Sequence, residues 1–409
     1  MATKTFGRRG AAPRIEHQSL QPVRVAAAPA AAIDRTDEPS TFGWAVRDNK
    51  LIADIPFLTF GLILFLLLVF WIERHFAFDI GRDGNLSVRS LIAFGAVSHD
   101  LVVGSGQWWR IALAPLLHAG TSHIVGNSVA LAFVGIRLEP TIGRGWFLLI
   151  FVVSALGGVA GSLYGNAAGL SSVGASGAIT GLIGALFVMS FNPYADVDQQ
   201  RAMRRTALRF GVPALLPLAW GASGGVDYFA HAGGAIAGGA TGMVICLVWA
   251  ADSVRPTHAR LAGLVALAGF AGALLCTGFA ASHYPAYAAE AGQYVRLSEI
   301  PANMRAGAQK SAALVARYPK DPIAHLLRAV YFVDEQRLGE AEAELRATIA
   351  LAAVDVAAGA IRVQAQAILA ALLADQGRHA EAKSLAADSC RRRDFDAMKR
   401  ILVKAKLCG

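Results

Sequence analysis

The chain has 409 residues, of which 55% are hydrophobic and only 16% are charged, and its mean hydropathy is +0.45. This composition excludes an ordinary soluble globular protein. The net charge of +9 is divided between the first 50 residues, short loops and the C-terminal part, and such a spread argues against a nucleic-acid-binding patch.

The N-terminal segment, residues 1–50, mixes alanine, proline and arginine without a hydrophobic period. Such a composition buries too little apolar surface to offset the entropy of ordering, so we expect a disordered cytosolic tail. The first long apolar run begins at Ile55, and no small-residue cleavage site follows it. We therefore interpret this run as a retained span and not as a signal peptide.

Seven candidate membrane spans follow, each an apolar stretch that approaches the length needed to cross about 30 Å of hydrocarbon. They cover residues 55–73, 121–136, 145–165, 174–192, 210–222, 228–250 and 261–281. The fifth is short and contains two prolines, Pro213 and Pro217. If the N-terminus is cytosolic, the inner loops are rich in arginine and the short outer loops have Asp227 but no Lys or Arg, as the positive-inside rule predicts. An odd number of spans then places the C-terminus outside the cytosol.

A long segment, residues 74–120, separates the first two spans and mixes charged residues with short apolar pieces. A loop of this length inside a compact bundle is commonly functional or partly embedded. Its two tryptophans, Trp108 and Trp109, suit the headgroup level of a bilayer.

The sequence after the seventh span predicts soluble helices. The stretches RLGEAEAELRATIA and GRHAEAKSLAAD each place a small residue, Ala341 or Ala382, just after a turn, as tetratricopeptide (TPR) helix pairs do. These alanines are 41 residues apart (382 − 341), whereas that repeat has a period of about 34, so a plain helical bundle is the alternative. Cys390 and Cys408 either form a disulfide in an oxidising compartment or are free thiols, and the sequence leaves both open.

Four polar residues within the predicted spans are functional candidates, because an ionisable or amide side chain in hydrocarbon is costly. They are His123 and Asn127 in the second span, Ser176 in the fourth and His231 in the sixth. A serine hydroxyl becomes a good nucleophile when a base such as histidine takes its proton. Because His123 and Asn127 are four residues apart, they share a helix face, and with the Ser176 amide they can form an oxyanion hole.

Glycines surround both members of the predicted serine and histidine pair. Gly174 and Gly177 remove side chains from around the Ser176 hydroxyl, and Gly177, Gly181 and Gly184 give a small-residue helix face. Gly234 and Gly238 follow His231 on one helix face. Small-residue faces of this kind let two helices approach closely. We therefore expect the fourth and sixth spans to pack together and to bring the hydroxyl toward the imidazole.

The segments HIVGN (123–127), GASG (174–177) and AHAGGAIAGG (230–239), with Trp109 and Arg110 before them, resemble the rhomboid family of intramembrane serine proteases. The resemblance covers about residues 55–282. It implies an all-α polytopic transmembrane bundle of six spans plus a seventh, with Ser176 and His231 as a catalytic dyad. It also implies that His123, Asn127 and Ser176 form the oxyanion hole and that Trp109, Arg110 and Glu139 are structural. No metal or organic cofactor is implied.

One position departs from the family pattern. Many relatives have an aromatic residue four positions after the serine, packed on the histidine ring, whereas this chain has Thr180. What orients His231 is therefore an open question. Asp227 is either an acid that orients His231 or a solvated helix cap. Ser223 lies in GASGG, which formally matches a nucleophile elbow but lacks the preceding strand, so we expect an outer loop there.

These observations predict an endopeptidase that cleaves peptide bonds in or next to transmembrane segments of membrane proteins. We expect three parts: a tail over 1–50, a rhomboid-like membrane domain over 51–282 and a soluble, α-helical, TPR-like domain over 283–409. The expected setting is a bacterial inner membrane with the C-terminal domain on the outer side. The predicted partners are transmembrane substrates, the lipid bilayer and a protein that binds the C-terminal domain, but not nucleic acid. The alternatives are a catalytically inactive rhomboid-like protein that binds membrane clients, and a membrane-anchored TPR adaptor.

Overall fold

The fold is all-α, as predicted. The structure is a computed structural model that describes residues 55–166, 171–220, 226–250, 253–300, 304–391 and 396–408. Over these ranges, extended pairing is limited to two isolated bridges, Ile80 with Leu86 and Val97 with Ser172. The predicted tail over 1–50 and Ser223 lie outside the described residues.

We number the helices in chain order. The first group is α1 (Phe57–Phe76), α2 (Val88–Phe94), α3 (Arg110–Leu113), α4 (Thr121–Ile142), α5 (Arg144–Gly165), α6 (Ser176–Met189), α7 (Val197–Trp220), α8 (Tyr228–Val248) and α9 (Ala259–Ala291). The C-terminal helices are α10 (Met304–Arg317), α11 (Pro322–Asp334), α12 (Leu338–Val354), α13 (Gly359–Asp375), α14 (His379–Arg391) and α15 (Asp396–Lys404). The first loop, residues 77–120, connects α1 to α4 and contains α2 and α3.

The helices include enough apolar spans for a multi-pass integral membrane protein. By length and composition, α1, α5, α8 and α9 can each cross a membrane, and α4 can do so together with Arg110–Leu116, from which it is bent by 85°. The stretch Val356–Asp375, among the C-terminal helices, meets the same criteria. Residues 210–220 of the predicted fifth span, 210–222, form the second half of α7, and residues 221–222 lie outside the described residues. This helix starts at Val197 with charged turns and is not among the apolar spans found in the described chain.

The centre of the membrane part is α6, an apolar helix of 14 residues that is buried on nearly all sides. A helix that is hydrophobic all round is stable only when other elements enclose it. Here α8 makes the most extensive contact with α6, and α5 packs against both. The short helix thus has no lipid-facing stripe, so its 14 residues need not match the thickness of the hydrocarbon.

A buried carboxylate joins α1 to α4. Glu139, only 2% exposed, accepts hydrogen bonds from the Leu58 and Thr59 amides at 3.0 and 2.7 Å and from the Thr59 hydroxyl at 2.7 Å. These amides are in the first turn of α1, where backbone N–H groups have no acceptor within the helix. The predicted structural role of Glu139 therefore corresponds to a cap on the first span.

The seventh span is longer than expected. The sequence places its end at residue 281 and a domain boundary after 282, but α9 continues to Ala291. Its 33 residues give a length of roughly 50 Å, whereas about 20 residues are sufficient to cross the hydrocarbon. The stretch around Pro285 is rich in alanine, which favours a helix strongly. The helix therefore continues to residues where the hydropathy has already fallen.

The C-terminal helices form similar hairpins at the two predicted positions. Ala341 and Ala382 are both fully buried, and each follows by five residues a turn residue with positive φ, Gln336 (59°) and Gly377 (81°). The matching segments therefore fold alike, while their assignment as tetratricopeptide repeats stays a prediction. Cys390 and Cys408 form a disulfide, which resolves the two alternatives for these cysteines.

Candidate active site

Ser176 is the first residue of α6. The turn before it uses Gly174 at φ +124°, a conformation that residues with a Cβ rarely adopt. The first four N–H groups of a helix have no acceptor within it, so the amide of Ser176 points toward the space in front of α6. Ser176 is half-buried and lies at the positive end of the helix dipole, which favours a developing negative charge.

The predicted oxyanion donors meet the segment that precedes Ser176. A Cβ on Gly174 would lie 2.7 Å from His123 Nε2 and 3.6 Å from Asn127 Nδ2. The ring and the amide from α4 therefore reach the backbone two residues before the serine. Only a residue without a side chain allows this approach.

The glycine faces of α6 and α8 place Ser176 and His231 on adjoining helices. A Cβ on Gly177, beside Ser176, would lie 3.2 Å from the carbonyl oxygen of Ala230, beside His231. Further along, a Cβ on Gly234 would lie 1.9 Å from the Gly177 oxygen. A Cβ on Gly238 would likewise lie 2.0 Å from the Gly181 oxygen. Backbone therefore touches backbone along this interface.

No hydrogen bond joins Ser176 and His231 in the part of the chain that the structure describes. Hydrogen bonds between catalytic groups are commonly long without substrate and tighten when it binds. The structure brings the two residues to the same helix interface but does not pair their side chains.

A backbone carbonyl orients His231. The ring Nδ1 lies 2.9 Å from the oxygen of Ala214 in α7, and the ring of Tyr228 packs edge-on against the imidazole at 5.7 Å between centroids. Because a carbonyl only accepts, Nδ1 carries the proton, and in the neutral ring Nε2 keeps its lone pair. Pro217 has no N–H to donate to the Pro213 carbonyl, so the hydrogen-bond ladder of α7 is interrupted one residue before Ala214.

Thr180, at the position of the expected aromatic residue, does not contact the histidine ring through its hydroxyl. Its Oγ1 lies 2.9 Å from the Gly177 oxygen and 3.0 Å from the His231 backbone oxygen. The single hydroxyl proton is therefore shared between one carbonyl of its own helix and one carbonyl of α8. Thr180 ties the two helices together, while Ala214 and Tyr228 hold the ring.

Asp227 is the N-terminal cap of α8. Its carboxylate accepts from the Ala230 amide at 2.9 Å and from Asn166 Nδ2 at 2.8 Å. The His231 ring nitrogen that a triad acid would engage is bonded to Ala214 instead. Asp227 thus holds the start of α8 and its connection to α5.

Two residues near the site were missed from the sequence, His118 and Glu73. His118 is fully buried, and its Nε2 lies 3.0 Å from Asn127 Nδ2, so it holds the amide of a predicted oxyanion donor. The His118 amide in turn donates to both oxygens of Glu73 at 3.1 Å. Glu73 ends the predicted first span, so the rule on intramembrane ionisable groups could have found it. His118 precedes its span and carries no comparable signal.

Comparison with known proteins decides the family. The family model of the Rhomboid domain matches residues 105–248. Rhomboid protease AarA of Providencia stuartii is 30% identical over 213 residues, which cover 47% of this chain and 73% of that protein. The chain belongs to the rhomboid family.

Two other relatives match a shorter part of this rhomboid. Rhomboid protease GluP of Bacillus subtilis is 31% identical over 175 residues, 42% of this chain and 33% of GluP. RHOMBOID-like protein 1 of Arabidopsis thaliana is 34% identical over 176 residues, 42% of this chain and 44% of that protein. The matched region thus spans less than half the length of these two relatives.

Proposed function

We propose that this rhomboid is an intramembrane serine endopeptidase that cleaves peptide bonds in or next to transmembrane segments of membrane proteins. Ser176 is the nucleophile and His231 is its base. The observation that carries the proposal is the hydrogen bond from His231 Nδ1 to Ala214 O in α7. His231 belongs to α8, whose glycine face packs against α6, the helix that begins at Ser176. The hydrogen bond leaves the lone pair of Nε2 to accept the proton of the serine hydroxyl.

In the proposed reaction, Ser176 Oγ attacks the carbonyl carbon of the substrate while His231 takes the hydroxyl proton. The imidazolium then returns that proton to the leaving amine, and a water molecule hydrolyses the acyl-enzyme by the same route. The oxyanion accepts hydrogen bonds from the Ser176 amide, His123 and Asn127, and each donor contributes roughly 10²- to 10³-fold in rate. A substrate helix must unwind locally, because helical carbonyls are already bonded within the helix.

The proposed topology places the N-terminus in the cytosol and the C-terminal helices on the outer side of a bacterial inner membrane. The disulfide between Cys390 and Cys408 supports this side, because disulfides persist in oxidising compartments and are rare in the cytosol. The arginine-rich predicted inner loops agree with it. We further propose the three-part organisation 1–50, 51–282 and 283–409, with the last part selecting substrates or binding a protein partner.

Activity-based labelling tests the function. Detergent-solubilised protein is incubated with a fluorophosphonate probe and with a transmembrane model substrate, beside Ser176→Ala and His231→Ala. We expect the wild type alone to label and to cleave. If wild type does neither beyond the level of Ser176→Ala, the protease hypothesis fails and the client-binding alternative gains support. Labelling that persists in Ser176→Ala but is lost in Ser223→Ala would assign the nucleophile to Ser223.

A further inference from the structure

The C-terminal third of α9 lies along the first loop. Tyr284 donates from its hydroxyl to the Phe76 carbonyl at 2.7 Å, at the end of α1. The His283 ring lies 5.7 Å from the Trp109 ring, between centroids. One turn further along, the Tyr287 hydroxyl oxygen lies 2.9 Å from Arg110 Nη2. Helix α9 thus extends past the length of a span to reach the loop that leads into the active site.

Arg110 organises the first loop from within. Its side chain is fully buried, with Nη1 donating to the Ile92 and Ala96 carbonyls at 2.5 and 3.1 Å and Nε donating to Gln107 at 2.8 Å. These three acceptors all belong to the first loop. Tyr287 is the acceptor that comes from another part of the described chain. A buried guanidinium has several N–H groups to satisfy, so each acceptor restricts where the loop can lie.

Backbone hydrogen bonds connect this loop to the segment before the nucleophile. Val97, next to Ala96, exchanges two bonds with Ser172, at 3.1 and 2.8 Å. The Ala114 carbonyl accepts from the Gly174 amide at 2.9 Å. Three bonds therefore tie the loop that Arg110 organises to residues 172–174, immediately ahead of Ser176. A shift of the loop moves this segment relative to His123, whose ring lies against Gly174.

We propose that Tyr287 is a positioning residue, which acts through Arg110 and the first loop to hold the segment before Ser176 in its reactive place. The proposal rests on the proposed protease function. Without the hydroxyl, one guanidinium N–H is buried without its acceptor, and the loop relaxes to satisfy it. Misplacement of a reacting group by about 1 Å lowers the rate by up to roughly 10²-fold.

The first loop has further attachments, so removing one hydroxyl does not release it. Arg89 in α2 forms an ion pair with Asp355, and its guanidinium lies 3.1 Å from the centroid of the Tyr294 ring. The Leu297 amide donates to Asp79. These contacts join the loop to the segment between α9 and α10 and to Asp355, which follows α12, independently of Arg110. A Tyr287 variant is therefore expected to fold.

The test compares Tyr287→Phe with Tyr284→Phe in the full-length protein. Both variants remove one hydroxyl from the same region of α9, but the Tyr284 hydroxyl does not contact Arg110. We expect Tyr287→Phe to lower kcat and the fluorophosphonate labelling rate about tenfold, with KM within twofold of wild type. Tyr284→Phe should leave all three within twofold. Hydrogen exchange of residues 171–176 should become faster in Tyr287→Phe alone.

The outcomes separate this proposal from the proposed function. Wild-type labelling no stronger than that of Ser176→Ala refutes the protease function and, with it, the positioning role. If wild type labels but Tyr287→Phe labels and exchanges as wild type does, the positioning role is refuted and the protease function stands. Equal losses in Tyr287→Phe and Tyr284→Phe also refute it, because they would indicate general destabilisation of α9.

Discussion

The substitution Gly234→Ala tests the backbone contact between α6 and α8. A Cβ on Gly234 would lie 1.9 Å from the Gly177 oxygen, whereas ordinary van der Waals contact begins at 3.4 Å. The helices must therefore separate by roughly 1.5 Å, because close-packed interiors have no space to absorb the methyl group. Overpacking of this kind costs about 1–3 kcal/mol. It also moves His231 away from Ser176, and a displacement of about 1 Å lowers the rate by roughly 10²-fold.

Gly239→Ala is the matched control on the same helix. Its added Cβ would meet the Val188 side chain at 3.5 Å, an ordinary contact. The assay measures the fluorophosphonate labelling rate and thermal unfolding in detergent. We expect Gly234→Ala to label about 100-fold more slowly than wild type and Gly239→Ala to label at the wild-type rate. Labelling of Gly234→Ala at the wild-type rate would refute the argument that this interface sets the spacing of the dyad.

Three further predictions concern the helix interface and the C-terminal helices. Thr180→Val removes the hydroxyl that bonds carbonyls of both α6 and α8, and it should lower the free energy of unfolding by about 1 kcal/mol. Thr180→Ser keeps the hydroxyl and should keep the stability. Equal stability of wild type, Thr180→Val and Thr180→Ser would contradict this. Cys408→Ser removes a disulfide that joins residues 18 positions apart and should destabilise the C-terminal helices by about 3 kcal/mol in chemical unfolding. A reductant should destabilise the wild type by the same amount and should leave the stability of the variant unchanged. Hydrogen bonding from Arg346 lowers the pKa of Glu342 below its ordinary 4.5. The ionised carboxylate therefore stabilises the fold above pH 4.5, and this stabilisation is lost as the pH falls through the pKa of the folded state. In thermal scans at acid pH, Glu342→Gln should lose less stability with falling pH than wild type does.

The parts of the site that depend on helix periodicity could be predicted from the sequence. Spacings of four residues place His123 and Asn127 on one face and Gly234 and Gly238 on another, because an α-helix repeats every 3.6 residues. The small-residue faces then predict which helices touch. The structure has α6 against α8, with the glycines at the contact.

The orientation of His231 could not be predicted, because its partner is a backbone carbonyl. Every residue has a backbone carbonyl, so the residue type at position 214 does not distinguish Ala214 from its neighbours. Its contact with the ring depends on how α7 lies across the bundle, a tertiary property. The full length of α9 was hidden for a related reason: hydropathy records where a helix leaves the lipid, while the helix itself continues as long as its residues favour it.

The contact between α6 and α8 also determines how the site responds to its surroundings. Side chains that meet across an interface can exchange rotamers and so adjust its spacing, but glycine has no rotamers to exchange. The distance between these helices is set by the hard repulsion of backbone atoms, which varies little with temperature or with the lipids around the protein. Adaptation to a new bilayer must therefore come from elements outside this pair. At Gly234 and Gly238, even the smallest substitution, to alanine, adds a Cβ that the interface has no room for.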